Sequence, residues 1–283
     1  MPMVAQQKPY TLFIVDDEQP ENPREMNDNF GKMRCWHKRY GLGDEHDYKD
    51  PEDFLINLCY ETVPIREIVE HITGNRFDYL RFEPDEEDKA TYHLQYYDDY
   101  FKKWYTEATY ESPPVDVEDE IADVALSCMK MAELLETAQK YNVILPLYLY
   151  DHSGITMNTR GFSCPWDSGI VGWIYADYAM IKKEYGEVTP ETLEKARNLL
   201  ESEVKEYDYY LTGQCYGFKL YEGDVEIDNC CGFLGEIADI SKYIKDYLPS
   251  ECKNIVDSLE YQYDIDEDEY LEQELETDDE LEL

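Results

Sequence analysis

Val117 to Tyr150 reads VEDEIADVALSCMKMAELLETAQKYNVILPLYLY, and the two periods inside it decide the fold class. Val117, Ile121, Val124, Cys128, Met131, Leu135 and Ala138 recur at spacings of three and four, which predicts one amphipathic helix from Val117 to about Tyr141. Glu118, Asp119 and Glu120 fall in its first turn, where negative charge suits the helix dipole. Directly after it, Val143 to Tyr150 is a near-continuous apolar run of strand length. This predicts a buried strand, and Pro146 inside it argues for an edge or a bulge.

Working outward, Tyr10 to Val15 reads as a strand closed by the acidic loop Asp16 to Pro23. Met33 to Tyr40 reads as a second strand that Gly41 and Gly43 break. Asp50 as N-cap and Pro51 at the first helical position start a helix that runs to about Tyr60. Residues 61 to 115 resist parsing. Toward the C-terminus, Gly169 to Tyr175 predicts a strand and Ala176 to Tyr185 a short helix ended by Gly186. Thr189-Pro190-Glu191 opens a long helix with Leu193, Ala196, Leu200, Val204, Tyr207 and Leu211 on one face, and Gly213 stops it. Tyr216 to Tyr221 and Val225 to Asn229 form a hairpin around Glu222-Gly223-Asp224, and a last helix covers about Glu236 to Leu248. The expected architecture is α+β, a mixed or antiparallel sheet packed with amphipathic helices. Its expected segments are an acidic α+β region over 1–115, an α+β core over 116–250 and an acidic tail over 251–283.

Charge dominates the composition. Sixty-five Asp and Glu face 25 Lys and Arg in 283 residues, a formal net charge of −40. Such a charge repels itself and opposes compaction even as it keeps a chain soluble. Hydrophobic residues still make up 43%, enough for a real core. No apolar run approaches the ~18 residues that span a bilayer, and Met1 to Lys8 lacks the pattern of a signal peptide, so a cytoplasmic protein is expected. Anionic membranes and bare nucleic acid would both repel it. The partner it suits is the basic face of a nucleic-acid-binding protein; the sequence leaves a homo-oligomer open. Salt adaptation is the environmental alternative, and Lys at 17 of the 25 basic positions speaks against it.

Tyrosine is the second anomaly. The chain has 27, several interleaved with acids in a pattern that suits a rigid contact surface. The partner-binding candidates are therefore Asp85, Glu86, Glu87 and Asp88; Tyr96, Tyr97, Asp98, Asp99 and Tyr100; Tyr207 and Asp208; and Tyr261, Tyr263, Asp264, Asp266, Glu267, Asp268 and Glu269. The last twenty residues hold twelve acids and no base. Duplex DNA carries a charge every ~1.7 Å, a density that acids at every second or third residue of a helix approach.

Residues 142 to 181 are the opposite: three acids (Asp151, Asp167, Asp177) and one base, Arg160. Asp151-His152-Ser153-Gly154 and Cys164-Pro165-Trp166-Asp167-Ser168-Gly169 supply the residue types of an active site, with His152 as base, Cys164 or Ser168 as nucleophile and Asp151 or Asp167 as orienter. Both stretches are also ordinary turns, which is the preferred reading, and no GxSxG elbow accompanies them. Cys35 with His37, or His152 with Cys164, offers only half of a zinc set. Neither GxxxxGK[ST] nor GxGxxG occurs, so no nucleotide cofactor is expected. The eight cysteines lack a CxxC pair and are expected as free thiols.

Leu145-Pro146-Leu147-Tyr148-Leu149-Tyr150-Asp151-His152-Ser153-Gly154-Ile155, Phe162 to Gly169, Val171-Gly172-Trp173-Ile174-Tyr175, Glu203 to Asp208 with Tyr210 to Gly213, and Tyr216-Gly217-Phe218 form a further pattern. With Glu21-Asn22-Pro23-Arg24 and Cys35 to Tyr40, it resembles a family of acidic proteins encoded by phages, plasmids and integrated elements of Gram-positive bacteria. The resemblance covers about two thirds of the chain. It transfers no catalytic residue. It implies a mobile-element setting, in which small acidic proteins disarm host nucleases and other defence systems. The acidic segments from Glu83 to Glu120 and the tail are heavier here than in the family pattern.

Overall fold

The computed structural model describes residues 3–26, 28–73, 80–89, 91–111, 117–261 and 270–271. Antiparallel sheets packed against helices make it α+β, as expected. Among the described residues no helix is long and apolar enough to cross a membrane. Two compact units form, one from Met1–Asn29, Leu147–Ile170 and Glu201–Leu283, the other from Phe30–Pro146 and Val171–Leu200.

In the first unit, β1 (Met3–Gln7) and β2 (Tyr10–Asp16) form a hairpin. β10 (Cys215–Glu222) lies on β2, β11 (Val225–Leu234) on β10, and β12 (Glu260–Tyr261) on β1, all antiparallel. Side chains alternate across a strand, so neighbours in sequence serve different cores. Leu12 and Ile14 join Met3, Ala5, Phe218 and Leu220, beneath Ile240 and Ile244 of α8 (Ile237–Ile244) and Ile255 of the 3-10 turn Lys253–Ser258. Phe13, between them, faces the other way with Val4, Tyr221 and Leu271, and meets the Tyr270 ring edge-on at 5.6 Å. The short α1 (Pro23–Met26) carries Arg24, whose buried guanidinium reaches Glu203 at 2.9 Å on α7 (Pro190–Leu211).

In the second unit, β3 (Lys32–Cys35) runs antiparallel to β9 (Ser168–Asp177). A side chain at Gly172 would overlap the Arg34 carbonyl, so only glycine fits there. The core is helical. Phe54, Leu55, Leu58 and Cys59 of α2 (Pro51–Thr62), Ile68 and Val69 of α3 (Ile65–Thr73), and Ile121, Ala125 and Leu126 of α4 (Val117–Cys128) meet Leu134 of α5 (Met131–Ala138) and Trp173 of β9. A three-stranded meander, β4 (Leu80–Pro84), β5 (Tyr92–Asp98) and β6 (Lys103–Tyr110), packs Leu94, Ala108 and Tyr110 on that core. α6 (Tyr178–Tyr185) follows β9, capped by Asp177 and ended by Gly186 at φ 84.

In the first unit the end of β7 (Asn142–Asp151) pairs antiparallel with β8 (Ile155–Asn158) over Tyr148–Asp151. Pro146 therefore lies where the β8 ladder has already ended, and its missing N–H leaves that ladder intact.

Two expectations need correction. The helix expected over 117–141 is two helices, because the chain turns at Met129–Lys130; the Glu133 carboxylate accepts the Lys130 N–H at 2.7 Å and starts α5 afresh. The strand expected over 33–40 stops at Cys35. Trp36 turns its ring toward Phe54 and Trp173, and the chain loops back so that Gly43, at φ 69, bridges to Arg34.

Candidate functional site

The meander carries the first two groups of partner-binding candidates. At the β4–β5 turn Asp85 Oδ1 accepts the N–H groups of Glu87 and Asp88, and Asp88 Oδ2 accepts the Thr91 hydroxyl. His93 Nε2 lies 2.9 Å from Asp85 Oδ2 while its Nδ1 meets the Thr109 hydroxyl at 3.0 Å. The His93 hydrogen bond first, then the two backbone amides, holds the Asp85 carboxyl down at about 2. Asp85 and Asp88 thus build the turn, and Glu86 and Glu87 are exposed on it.

The β5–β6 turn repeats the device. Asp98 Oδ1 accepts the N–H groups of Tyr100 and Phe101, both at 2.8 Å, and Lys102 takes φ 52 to close the turn. Asp99 pairs with Lys102 at 3.5 Å. Tyr100 projects at 87% exposure, edge-on to the exposed Phe101. β5 is seven residues long, so the acidic β4–β5 turn and the β5–β6 turn, where Lys102 and Lys103 balance Asp98 and Asp99, stand roughly 20 Å apart at opposite ends of the meander.

Between the turns the two tyrosines part company. Tyr96 stacks on Tyr105 at 5.7 Å, on the side of Leu94. Tyr97 faces the opposite side and meets Trp104 at 5.3 Å. The Arg81 guanidinium sits 4.0 Å over the Trp104 ring, donates to Gln95 Oε1 and pairs with Glu83. The strands therefore offer an aromatic and amide surface, with acids gathered at the β4–β5 end and exposed aromatic rings among balanced charges at the other. Arg81, Phe101 and Trp104 were not among the sequence candidates; the aromatic-lysine run FKKWY after Asp98-Asp99 was the available signal.

The remaining candidates fare differently. Tyr207 is 2% exposed and stacks with Tyr210 at 6.0 Å, so it is a core residue of α7 and not a surface contact. Asp208 Oδ1 accepts both the Thr156 hydroxyl and the Met157 N–H at 2.7 Å, tying α7 to β8. Tyr261 is exposed on β12, opposite Met3. Tyr263, Asp264, Asp266, Glu267, Asp268 and Glu269 lie outside the described residues.

The loops around His152 do come together. His152 Nδ1 is 3.6 Å from Asp167 Oδ2, and the Cys164 thiol approaches the same oxygen at 3.5 Å. The Ser168 hydroxyl donates to the Cys164 carbonyl at 2.5 Å, and the Asp151 N–H to the Asp167 carbonyl. A nucleophilic relay places the imidazole between nucleophile and carboxylate; here the carboxylate is in the middle. Ser153 at φ 59 and the bond from His152 N–H to the Gly154 carbonyl make the other loop a tight turn. Cys35 is buried on β3, while His37 stacks on Tyr40 at 5.0 Å in the following loop. Among the described residues no group of three His, Cys, Asp or Glu could hold a metal ion. All eight cysteines are free thiols; burial pushes that of Cys59 up to about 12. A surface cleft of about 570 Å³ lies beside these loops, lined by Tyr148, Phe162, Ser163, Pro165 and Ser168, with Arg160 at its side.

No family model, no curated protein and no solved structure matches the chain.

Proposed function

We propose that this chain is a mobile-element anti-defence protein that binds the basic nucleic-acid-binding surface of a host nuclease or defence complex and blocks it, partly by imitating the charge of DNA. The carrying observation is the meander. At net charge −40, an acidic β4–β5 turn fixed in shape by Asp85 stands about 20 Å from a charge-balanced β5–β6 turn fixed by Asp98, from which Tyr100 projects. A backbone turn of fixed shape loses less entropy on binding than a mobile one and holds Glu86 and Glu87 in place at their Cα atoms, and an exposed tyrosine adds contact area. The acids attract the basic groove and raise the rate of encounter, and duplex DNA competes because it uses the same groove.

The test is competition. Immobilised chain should retain a DNA-binding nuclease from bacterial lysate, release it along a salt gradient, and release it at constant salt when duplex DNA is added. Retention that duplex DNA leaves untouched sinks the reading.

A second reading is a small enzyme at the 151–169 loops, which gather Cys164, Asp167 and His152 but in an order that a nucleophilic relay would have to change. It requires His152→Ala to remove an activity while the fold survives.

A further inference from the structure

One stretch of the first unit escapes the acidic character of the chain. Residues 147–170 hold two acids, Asp151 and Asp167, and one base, Arg160, which pairs with Glu201 at 3.2 Å. The Asp167 carboxylate is turned toward Cys164 and His152. On this patch Trp166 is 91% exposed, and Ile170 is exposed nearby. Other exposed aromatics stand among charges: Tyr100 and Phe101 beside Asp98, Asp99, Lys102 and Lys103; Tyr243 and Tyr247 beside Lys242, Lys245 and Asp246. Trp166 instead directly follows Pro165, which lines the cleft, and precedes Ser168 and Gly169, which line it too.

We infer that two copies of this chain associate through this patch, Trp166 of each entering the cleft of the other. A two-fold contact joins one patch to itself, so a knob and a hole lying side by side can exchange partners across the axis. The cleft, about 570 Å³, exceeds an indole in size. Tyr148 and Phe162 supply rings for aromatic contact, and the Ser163 hydroxyl supplies an acceptor for the indole N–H. Charge selects this place as well. Two chains of −40 repel wherever acids crowd, and least where acids are few. Each copy thereby supplies the side chain that the other's cleft lacks. The inference stands apart from the proposed function, because it uses none of the acidic surface.

Sedimentation velocity of the full chain over a dilution series, at low and at high salt, tests it. A dimer is expected that strengthens as salt screens the repulsion. Trp166→Ala should weaken it at least about tenfold. Ser163→Trp, at an exposed position, should fill the cleft from within and weaken it similarly. A monomer at every concentration and salt, a dimer that salt weakens, or a dimer that both variants leave intact would each overturn the inference. Binding to a basic partner must instead weaken with salt, so the two readings fail independently.

Discussion

Tyr96-Tyr97-Asp98-Asp99-Tyr100 and Glu206-Tyr207-Asp208-Tyr209-Tyr210 are close to the same string, and the protein uses them in opposite ways. On the β5–β6 hairpin the string ends in a turn that Asp98 closes with its side chain, and Tyr100 is driven into solvent. On α7 a 3.6-residue period turns Tyr207 inward with Val204 and Leu200, and Asp208 spends its carboxylate on β8. Acid–tyrosine alternation is therefore no surface signature by itself. The period of the element that carries it decides which residues are offered and which are consumed.

The comparison breaks most visibly at the tyrosines. Tyr207→Ala empties a core site and should destabilise the fold by about 3–5 kcal/mol, read as a lower denaturant midpoint. Tyr100→Ala should leave stability within about 0.5 kcal/mol and act on partner affinity alone. Equal effects on stability would erase the distinction. Asp208→Ala leaves the Thr156 hydroxyl and the Met157 N–H without their shared acceptor, for a loss of roughly 2 kcal/mol.

Reversing Glu86, Glu87 and Asp99 to Lys sharpens the other half. Affinity for a basic partner should fall about tenfold or more at low salt, and the slope of log K against log salt should flatten by about one unit per lost contact. An unchanged slope would mean the meander is not the contact surface. The smallest effect is local. The Asp85 carboxyl lies at about 2 in the fold against 3.8 ordinarily, so its contribution to the turn is complete above 3.8 and lost as pH falls toward about 2. Protection of the Glu87 and Asp88 amides, measured against their intrinsic exchange at each pH, should fall across that window, and in His93→Ala the window should move up toward 3.8. A rise in stability with salt over the whole chain would speak for self-repulsion relieved by screening, and a fold that needs molar salt for environmental adaptation.

Elements with strong local punctuation were legible. Asp50-Pro51 marked the start of α2, and the Asp50 side chain does accept the Asp53 N–H at 2.9 Å. Gly186, Thr189-Pro190 and Gly213 likewise bounded α6 and α7. The meander was not legible because its two faces differ too little. Tyr92, Leu94 and Tyr96 alternate with His93, Gln95 and Tyr97, and aromatic rings on both sides blur the period of two. The break between α4 and α5 was hidden because the apolar spacing runs through it unbroken. At the candidate site the acids could be read, but not that Asp85 and Asp98 would be absorbed into turns. Tyr207 was legible twice, as part of a helix stripe and as part of an acid–tyrosine string. The stripe was the physically stronger statement, since it ties the residue to five others on one buried face.

The pairing of β2 with β10 has a consequence in time. Roughly two hundred residues separate Asp16 from Cys215, so at ribosomal speeds of about 5–20 residues per second β2 emerges some ten to forty seconds before the strand that covers it. β1 can close one side early, but Leu12, Phe13 and Ile14 wait beside an open edge until β10 has emerged. The newborn chain is thus most adhesive before its most acidic stretch is made, since residues 264–283, with twelve acids and no base, follow β10. For this protein the vulnerable moment is translation, and its yield in a cell should respond to holdase chaperones and to the rate of the ribosome.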